Sequence, residues 1–230
     1  MNRNSQHGAT LIVVMGILVV IVMIGTWAIR SGILGLKLAT NSQVQALLLE
    51  NSNAALFNLE DPNQVARQLA QDGMYSYFNS AANADDELVF CYKAKNESFF
   101  ALNQASAIEP NGSTSKIGVT GFCKATQFSG GRSAVLSQVY LKKNRQASLP
   151  FADVPEGTSL GSSLTPSISQ NISAMVISIL PAFADASGSE IQECFKKRSN
   201  EVKECFSELN IPYNVQYADY IVGGQPELIS

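Results

Sequence analysis

The fold of this chain turns on residues 9–29, which read ATLIVVMGILVVIVMIGTWAI without a single charge. About 20 apolar residues in a helix cross the hydrocarbon core of a bilayer, so this stretch is long enough to span one. It also accounts for the composition. Of 230 residues, 46% are hydrophobic and 15% charged, whereas soluble domains carry about a quarter charged residues. Ahead of the run lies MNRNSQHG, with Arg3, the amino terminus and His7 as basic groups and no acid; behind it come Arg30 and Lys37. That balance, softened by Arg30, predicts a cytoplasmic N-terminus and export of the remainder.

A cleaved secretory signal fits poorly, because its apolar region spans about 7 to 15 residues before a small-x-small site. Here the run is longer and ends in Trp27-Ala28-Ile29-Arg30. A plain signal anchor is compatible with the composition. The third reading rests on Gly8, where a short polar leader ends and the apolar run begins at once with Ala9-Thr10-Leu11-Ile12.

Composition excludes much chemistry. His7 is the one histidine in the chain, inside the leader, so an exported remainder has no imidazole for a Ser-His-Asp triad or a His-ligated zinc. Sixteen basic against nineteen acidic residues argue against an autonomous nucleic-acid binder, which needs a basic face to neutralise phosphates. Lys142, Lys143 and Arg145 cluster, as do Lys196, Lys197 and Arg198; Glu201 and Glu204 follow the second group, so it reads as a solvated mixed-charge face. No phosphate-binding loop, dinucleotide fingerprint or nucleophile elbow occurs. Asn83, Asp85, Asp86 and Glu87 form an acidic patch without EF-hand spacing and read as solvated turn residues, as do Asp185, Ser187 and Glu190. The residues point to no catalytic activity, no cofactor and no metal.

Gly8-Ala9-Thr10-Leu11-Ile12 followed by a long apolar helix resembles the class III signal of type IV prepilins and type II secretion pseudopilins. The resemblance covers about the first 50 residues. It implies cleavage between Gly8 and Ala9 by a prepilin peptidase on the cytoplasmic side, then N-methylation of Ala9. Most members carry glutamate at mature position five; here Val13 stands there. The minor pilin PilX and the tip pseudopilin GspK also lack that acid, and Gly-Ala-Thr-Leu-Ile-Val is the PilX-like form. In the family the glutamate is thought to meet the amine of a subunit already in the filament. A carboxylate in an apolar bundle is costly unless paired, so Val13 suits a subunit that starts a filament or sits at its tip. The resemblance therefore implies a PilX-like minor type IV pilin in the inner membrane and then at the pilus tip. Its partners would be prepilin peptidase, other minor pilins, the major pilin and a tip adhesin, with twitching motility, adhesion or DNA uptake as outputs. A GspK-like pseudopilin is the nearest alternative, and a signal-anchored periplasmic enzyme or binding protein is the alternative of another class.

Beyond Arg30, residues Ile33, Leu36, Val44, Leu47, Leu48 and Ala55 keep helical spacing until Asp61-Pro62 breaks it. The spacing predicts one helix over 9–59, about 76 Å long at 1.5 Å per residue, apolar all round over 9–29 and amphipathic over 30–59. Gly16, Gly25, Gly32 and Gly35 interrupt it, permitting either bends or close helix packing. Residues 60–230 are expected to form an exported α+β head, and the resemblance implies that the whole has the type IV pilin fold. Asp61 as cap and Pro62 at the first helical position predict a second short helix carrying Val65, Leu69, Tyr77 and Phe78. Strands are predicted at 87–93, 97–102, 116–126 and 133–142, as an antiparallel meander with one face covered by the long helix, and further along at 172–180 and 213–222. Helical spacing covers 190–209, and 146–170 reads as a long surface loop.

Cys91, Cys123, Cys194 and Cys205 are an even number in an exported segment, so two disulfides are expected, and a zinc site is a poor alternative. Three pairings are possible. Cys91–Cys123 with Cys194–Cys205 is preferred because its loops are shortest. Residues 11 apart on one unbroken helix lie about 16 Å apart, too far for a disulfide. Pairing Cys194 with Cys205 therefore demands a turn near Arg198-Ser199-Asn200, with Ser199 or Asn200 capping a second short helix.

Overall fold

The structure is a computed structural model that describes residues 7–96, 100–117, 121–130, 134–144 and 170–222. The chain divides into two compact units, 1–44 and 45–230, with the boundary inside one helix. That helix, α1 (His7–Glu60), runs unbroken through Gly16, Gly25, Gly32 and Gly35, each with open space where a side chain would lie. In the first unit Ile33 and Leu36 are exposed, contrary to the predicted amphipathic stripe. In the second unit the stripe is real: Leu48, Ser52, Ala55 and Leu59 are all buried, and steps of four, three and four residues put them on one helix face.

The 45–230 unit is built on a six-stranded antiparallel sheet in the order β3-β2-β1-β4-β5-β6. Its strands are β1 (Glu87–Cys91), β2 (Ser106–Ile108), β3 (Thr114–Lys116), β4 (Leu136–Lys143), β5 (Gln170–Ile179) and β6 (Tyr213–Val222). Successive side chains on a strand face opposite ways, so β1, β4 and β5 each feed two cores. Leu88, Phe90, Val139, Leu141, Ile172, Ala174 and Val176 pack with Ala55 and Leu59 of α1 and with Met74, Tyr75 and Phe78. Val89, Leu136, Tyr140, Ile177 and Ile179 face the other way, against the two C-terminal helices α4 (Gly188–Phe195) and α5 (Val202–Glu208). The sheet is therefore covered on both faces, not only on the one that the long helix was expected to cover.

Polar groups fix how α1 meets the sheet. Ser52 Oγ donates to Ser178 Oγ at 2.8 Å, and Ser137 Oγ lies 2.8 Å from Ser178 on the other side. Three small hydroxyls satisfy one another in the core. At the helix C-terminus the orphan carbonyl of Leu59 accepts Gln68 Nε2 at 2.8 Å, and Glu60 accepts the Tyr220 hydroxyl at 2.9 Å.

Several expected elements differ. Asp61 caps as predicted, its carboxylate accepting Asn63 N–H at 3.0 Å, but the second helix is two four-residue pieces, α2 (Val65–Gln68) and α3 (Met74–Tyr77). Gly73 separates them, where a Cβ would fall 2.2 Å from the Gln68 carbonyl oxygen. Leu69 is exposed rather than apolar packing. The strand expected over 97–102 lies partly outside the described residues, and Leu102–Gln104 is a 3-10 turn. Of the strand expected over 116–126, Lys116 pairs in the sheet, 118–120 lie outside the described residues and 121–126 is irregular. The loop 146–170 lies outside the described residues except for Gln170, which opens β5. The 190–209 helix breaks after Phe195, as a Cys194–Cys205 bridge requires, but Glu201 rather than Ser199 or Asn200 occupies the cap position of α5.

Candidate functional site

The first half of α1 is the outstanding chemical feature. Sixteen large apolar side chains between Leu11 and Ile33 are exposed, Val13 at 59% and Trp27 at 81%. Covering one such side chain is worth roughly 1.5 kcal/mol or more, so together they exceed the roughly 5–15 kcal/mol net stability of a domain. Exposed apolar surface on this scale marks a contact with a membrane or another protein. The helix is long and apolar enough to cross a membrane. Its internal polar group is satisfied locally, Thr26 Oγ1 donating to the Met23 carbonyl at 2.9 Å, as a spanning helix requires. Gly8 and Ala9 fall in the first turn of α1, and Val13 lies on the exposed apolar surface.

The cysteines form two bridges, Cys91–Cys123 over 32 residues and Cys194–Cys205 over 11. The first closes the irregular 121–126 segment onto the end of β1. The second ties α4 to α5, whose Phe195 and Phe206 rings meet edge-on at 4.9 Å. Gln138 and Tyr140 bind this helix pair to the sheet, both donating to the Phe195 carbonyl at 2.7 and 3.0 Å.

The acidic patch disperses into separate partners. Asn83 donates to the Tyr77 carbonyl at 3.0 Å, and the Tyr77 hydroxyl donates to Asp86 at 2.6 Å. Burial, then the Asp86 carboxylate, pushes the Tyr77 phenol well above its usual range. Asp86 and Glu87 are buried, not solvated. Glu87 accepts the Ser199 N–H at 2.7 Å and its hydroxyl at 2.8 Å, with the Arg198 guanidinium at 3.4 Å. Arg198 also donates to the Pro110 carbonyl at 3.0 Å, so it pins the α4–α5 connection to the sheet instead of lying on an open charged face. Ser187 and Glu190, expected as turn residues, form a capping box at the start of α4. Lys142 and Lys143 point to opposite faces, Lys143 reaching the Phe78 carbonyl at 3.4 Å; Arg145 lies outside the described residues. Among the described residues no three His, Cys, Asp or Glu side chains are grouped to hold a metal.

One cleft of about 180 Å³ opens beside the C-terminal helices, lined by Glu87, Lys142, Ser173, Ser199, Tyr217 and Asp219 among others. Its polar groups follow from register: Glu87, Lys142, Ser173 and Asp219 stand directly opposite one another across β1, β4, β5 and β6. The Ser173 hydroxyl donates to Asp219. Lys203 of α5 donates to the Tyr217 hydroxyl at 3.0 Å. Sequence reading missed this row because neither β6 nor its pairing with β5 carries a motif. Comparison with protein-family models, curated proteins and solved structures finds no match to this chain.

Proposed function

We propose that the chain is a minor type IV pilin of the PilX-like kind, which helps to prime pilus assembly and sits at or near the pilus tip. The observation that carries this reading is the split character of α1. Its residues 11–29 expose an all-round apolar surface, while its residues 48–59 belong to the core of a disulfide-braced head. Such a helix suits a subunit held first by a membrane and then by the helices of other subunits.

On this reading prepilin peptidase cuts between Gly8 and Ala9, and Ala9 is N-methylated. The inner membrane holds the cut subunit with its head in the periplasm, and other minor pilins, the major pilin and a tip adhesin are its partners. The subunit catalyses nothing; helix packing and head contacts are its mechanism, and twitching motility, adhesion and DNA uptake are outputs of the machine. With Val13 in place of an acid, it needs no neighbouring amine to insert, as the first subunit of a filament must.

Mass spectrometry of the mature N-terminus, with and without prepilin peptidase, tests this. N-methylated Ala9 only when the peptidase is present is the expected result, and an intact Met1 in wild-type cells overturns it. Loss of surface pili on deletion with protein secretion unchanged places the subunit in the pilus rather than in a secretion system.

A further inference from the structure

The outermost strand of the sheet, β6, runs ten residues in one-to-one register with β5 and without a bulge. In antiparallel pairing alternate residues bond to the neighbour, so the others turn their N–H and C=O groups outward. Among the described residues no backbone group bonds to that outer side. Sheet edges are ordinarily blunted by shortness, proline, lysine or a bulge. The opposite edge, β3, is three residues long. β6, reading YNVQYADYIV, has none of these devices.

Its one charge is Asp219, at the end of the row that starts at Glu87. Glu87 is met by Arg198. Asp219 has the Ser173 hydroxyl, and no cation among the described residues pairs with it. Lys142 is two strands away, roughly 9.6 Å at the usual strand spacing; a strand added outside β6 would lie at about half that distance.

We propose that β6 is a docking edge for an extended segment of another polypeptide, paired along the strand with a Lys or Arg directly opposite Asp219 and an apolar residue two positions away against Tyr217. Charge complementarity selects this occupant. A second copy of the chain pairing through its own β6 brings no cation to Asp219 in any register, because the strand contains no Lys or Arg. The following residues, 223–230, read GGQPELIS and bring none either. Tyr217, 63% exposed with Lys203 Nζ 5.7 Å from its ring centroid, presents the rest of its ring on the same face as Asp219. Main-chain bonds would supply affinity and the Asp219 position would supply selectivity, the usual division in strand addition. The proposal is independent of the pilin reading.

The test uses the full-length protein in detergent micelles with two synthetic peptides, TTLTKTLTT and TTLTETLTT, followed by amide hydrogen exchange of β6. The Lys peptide is expected to slow exchange of the outward-facing β6 amides at least tenfold, and the Glu peptide to leave them unchanged. Asp219→Lys is expected to reverse that preference while the β5-facing amides keep their protection, which shows the variant folded. Equal effects of the two peptides, no slowing at millimolar Lys peptide, or outward amides already protected in the free protein would each overturn the proposal. A preference left unreversed by Asp219→Lys overturns it as well.

Discussion

The carboxylate of Glu87 receives both the backbone N–H and the hydroxyl of Ser199, across 112 residues of chain. It is 3% exposed, and Arg198 beside it shares the site. A buried carboxylate that takes three donors holds the α4–α5 connection against the sheet, since stripping it leaves the Ser199 N–H and hydroxyl without that acceptor and the Arg198 charge without its counter-ion. Glu87→Ala is expected to destabilise the head by about 3 kcal/mol and Ser199→Ala by about 1 kcal/mol. Urea unfolding of the single and double variants in detergent checks this. A double variant that costs the sum of the two singles would deny the coupling.

The two disulfides should differ in worth. Restricting an unfolded loop of 11 residues contributes about 3 kcal/mol, and one of 32 residues nearly 4 kcal/mol by chain entropy. Paired Cys→Ala variants at 91 and 123 are therefore expected to unfold at lower urea than those at 194 and 205. The second pair has a local readout: loss of Cys194–Cys205 should speed hydrogen exchange in α4 and α5 before it affects β4 and β5.

Gly121 is the tightest backbone approach near the first bridge. A Cβ there would fall 2.1 Å from the Val89 carbonyl oxygen and 2.2 Å from the Ser106 nitrogen, and its own N–H donates to Ser106 Oγ at 2.9 Å. Both obstacles are backbone, so neither can rotate away. Two residues on, Cys123 donates its N–H to Gln138 Oε1 at 2.9 Å and closes onto Cys91. Gly121→Ala is expected to cost about 3 kcal/mol or more and to lower the fraction of Cys91–Cys123 bridge found by non-reducing peptide mapping. An unchanged bridge fraction and midpoint would count against this packing.

What the sequence made legible follows the range of the forces involved. Runs rich in β-branched and aromatic residues give β4, β5 and β6, and β6 falls on the predicted 213–222, because such a run needs no distant information to read as a strand. The bend between α4 and α5 was legible from geometry, since Cys194 and Cys205 cannot meet on one helix. The expected 116–126 strand fails because Gly121 and Cys123 are held by side chains of β2 and β4 rather than by a ladder. Ser106–Ile108 is too short to show a period. Glu87 looked like a solvated turn acid because its partner, Ser199, is chosen by the tertiary fold. In the same way Ile33 and Leu36 looked like part of the head-facing stripe, whose burial is seen from Leu48 to Leu59 in the head.

The capping box at α4 gives a pH dependence. Hydrogen bonds from the Ser187 hydroxyl and then its N–H hold the Glu190 carboxyl below the usual glutamate range. A depressed folded value contributes stability that is present above the unfolded value, about 4.3, and is lost as pH falls through the folded one. Asp72, lowered by its bond to Arg67, acts in the same direction. Thermal midpoints measured from pH 6 to 3 are therefore expected to decline, and Glu190→Gln should flatten part of that decline while the Asp72 share persists. Ser187→Ala is expected to cost about 1 kcal/mol at pH 7. A Glu190→Gln profile parallel to the wild type would remove the capping box from the account.

Val13→Glu tests the proposed place of the subunit. Val13 is 59% exposed on a helix surface that is apolar all round. An acid at the centre of a span costs about 2.5 kcal/mol or more and less near its end, so a carboxylate at position 13 is expected to disfavour insertion of a subunit with no amine above it by about tenfold, or about 1.4 kcal/mol. In a strain carrying only this variant, surface pili counted by electron microscopy should fall by a similar factor, while membrane levels of the protein, measured by immunoblot, stay near wild type. A shaft subunit behaves in the opposite way, because the new acid would find the amine of the subunit above it and be tolerated. Undiminished pili from Val13→Glu would therefore move the subunit from the start of the filament into its shaft.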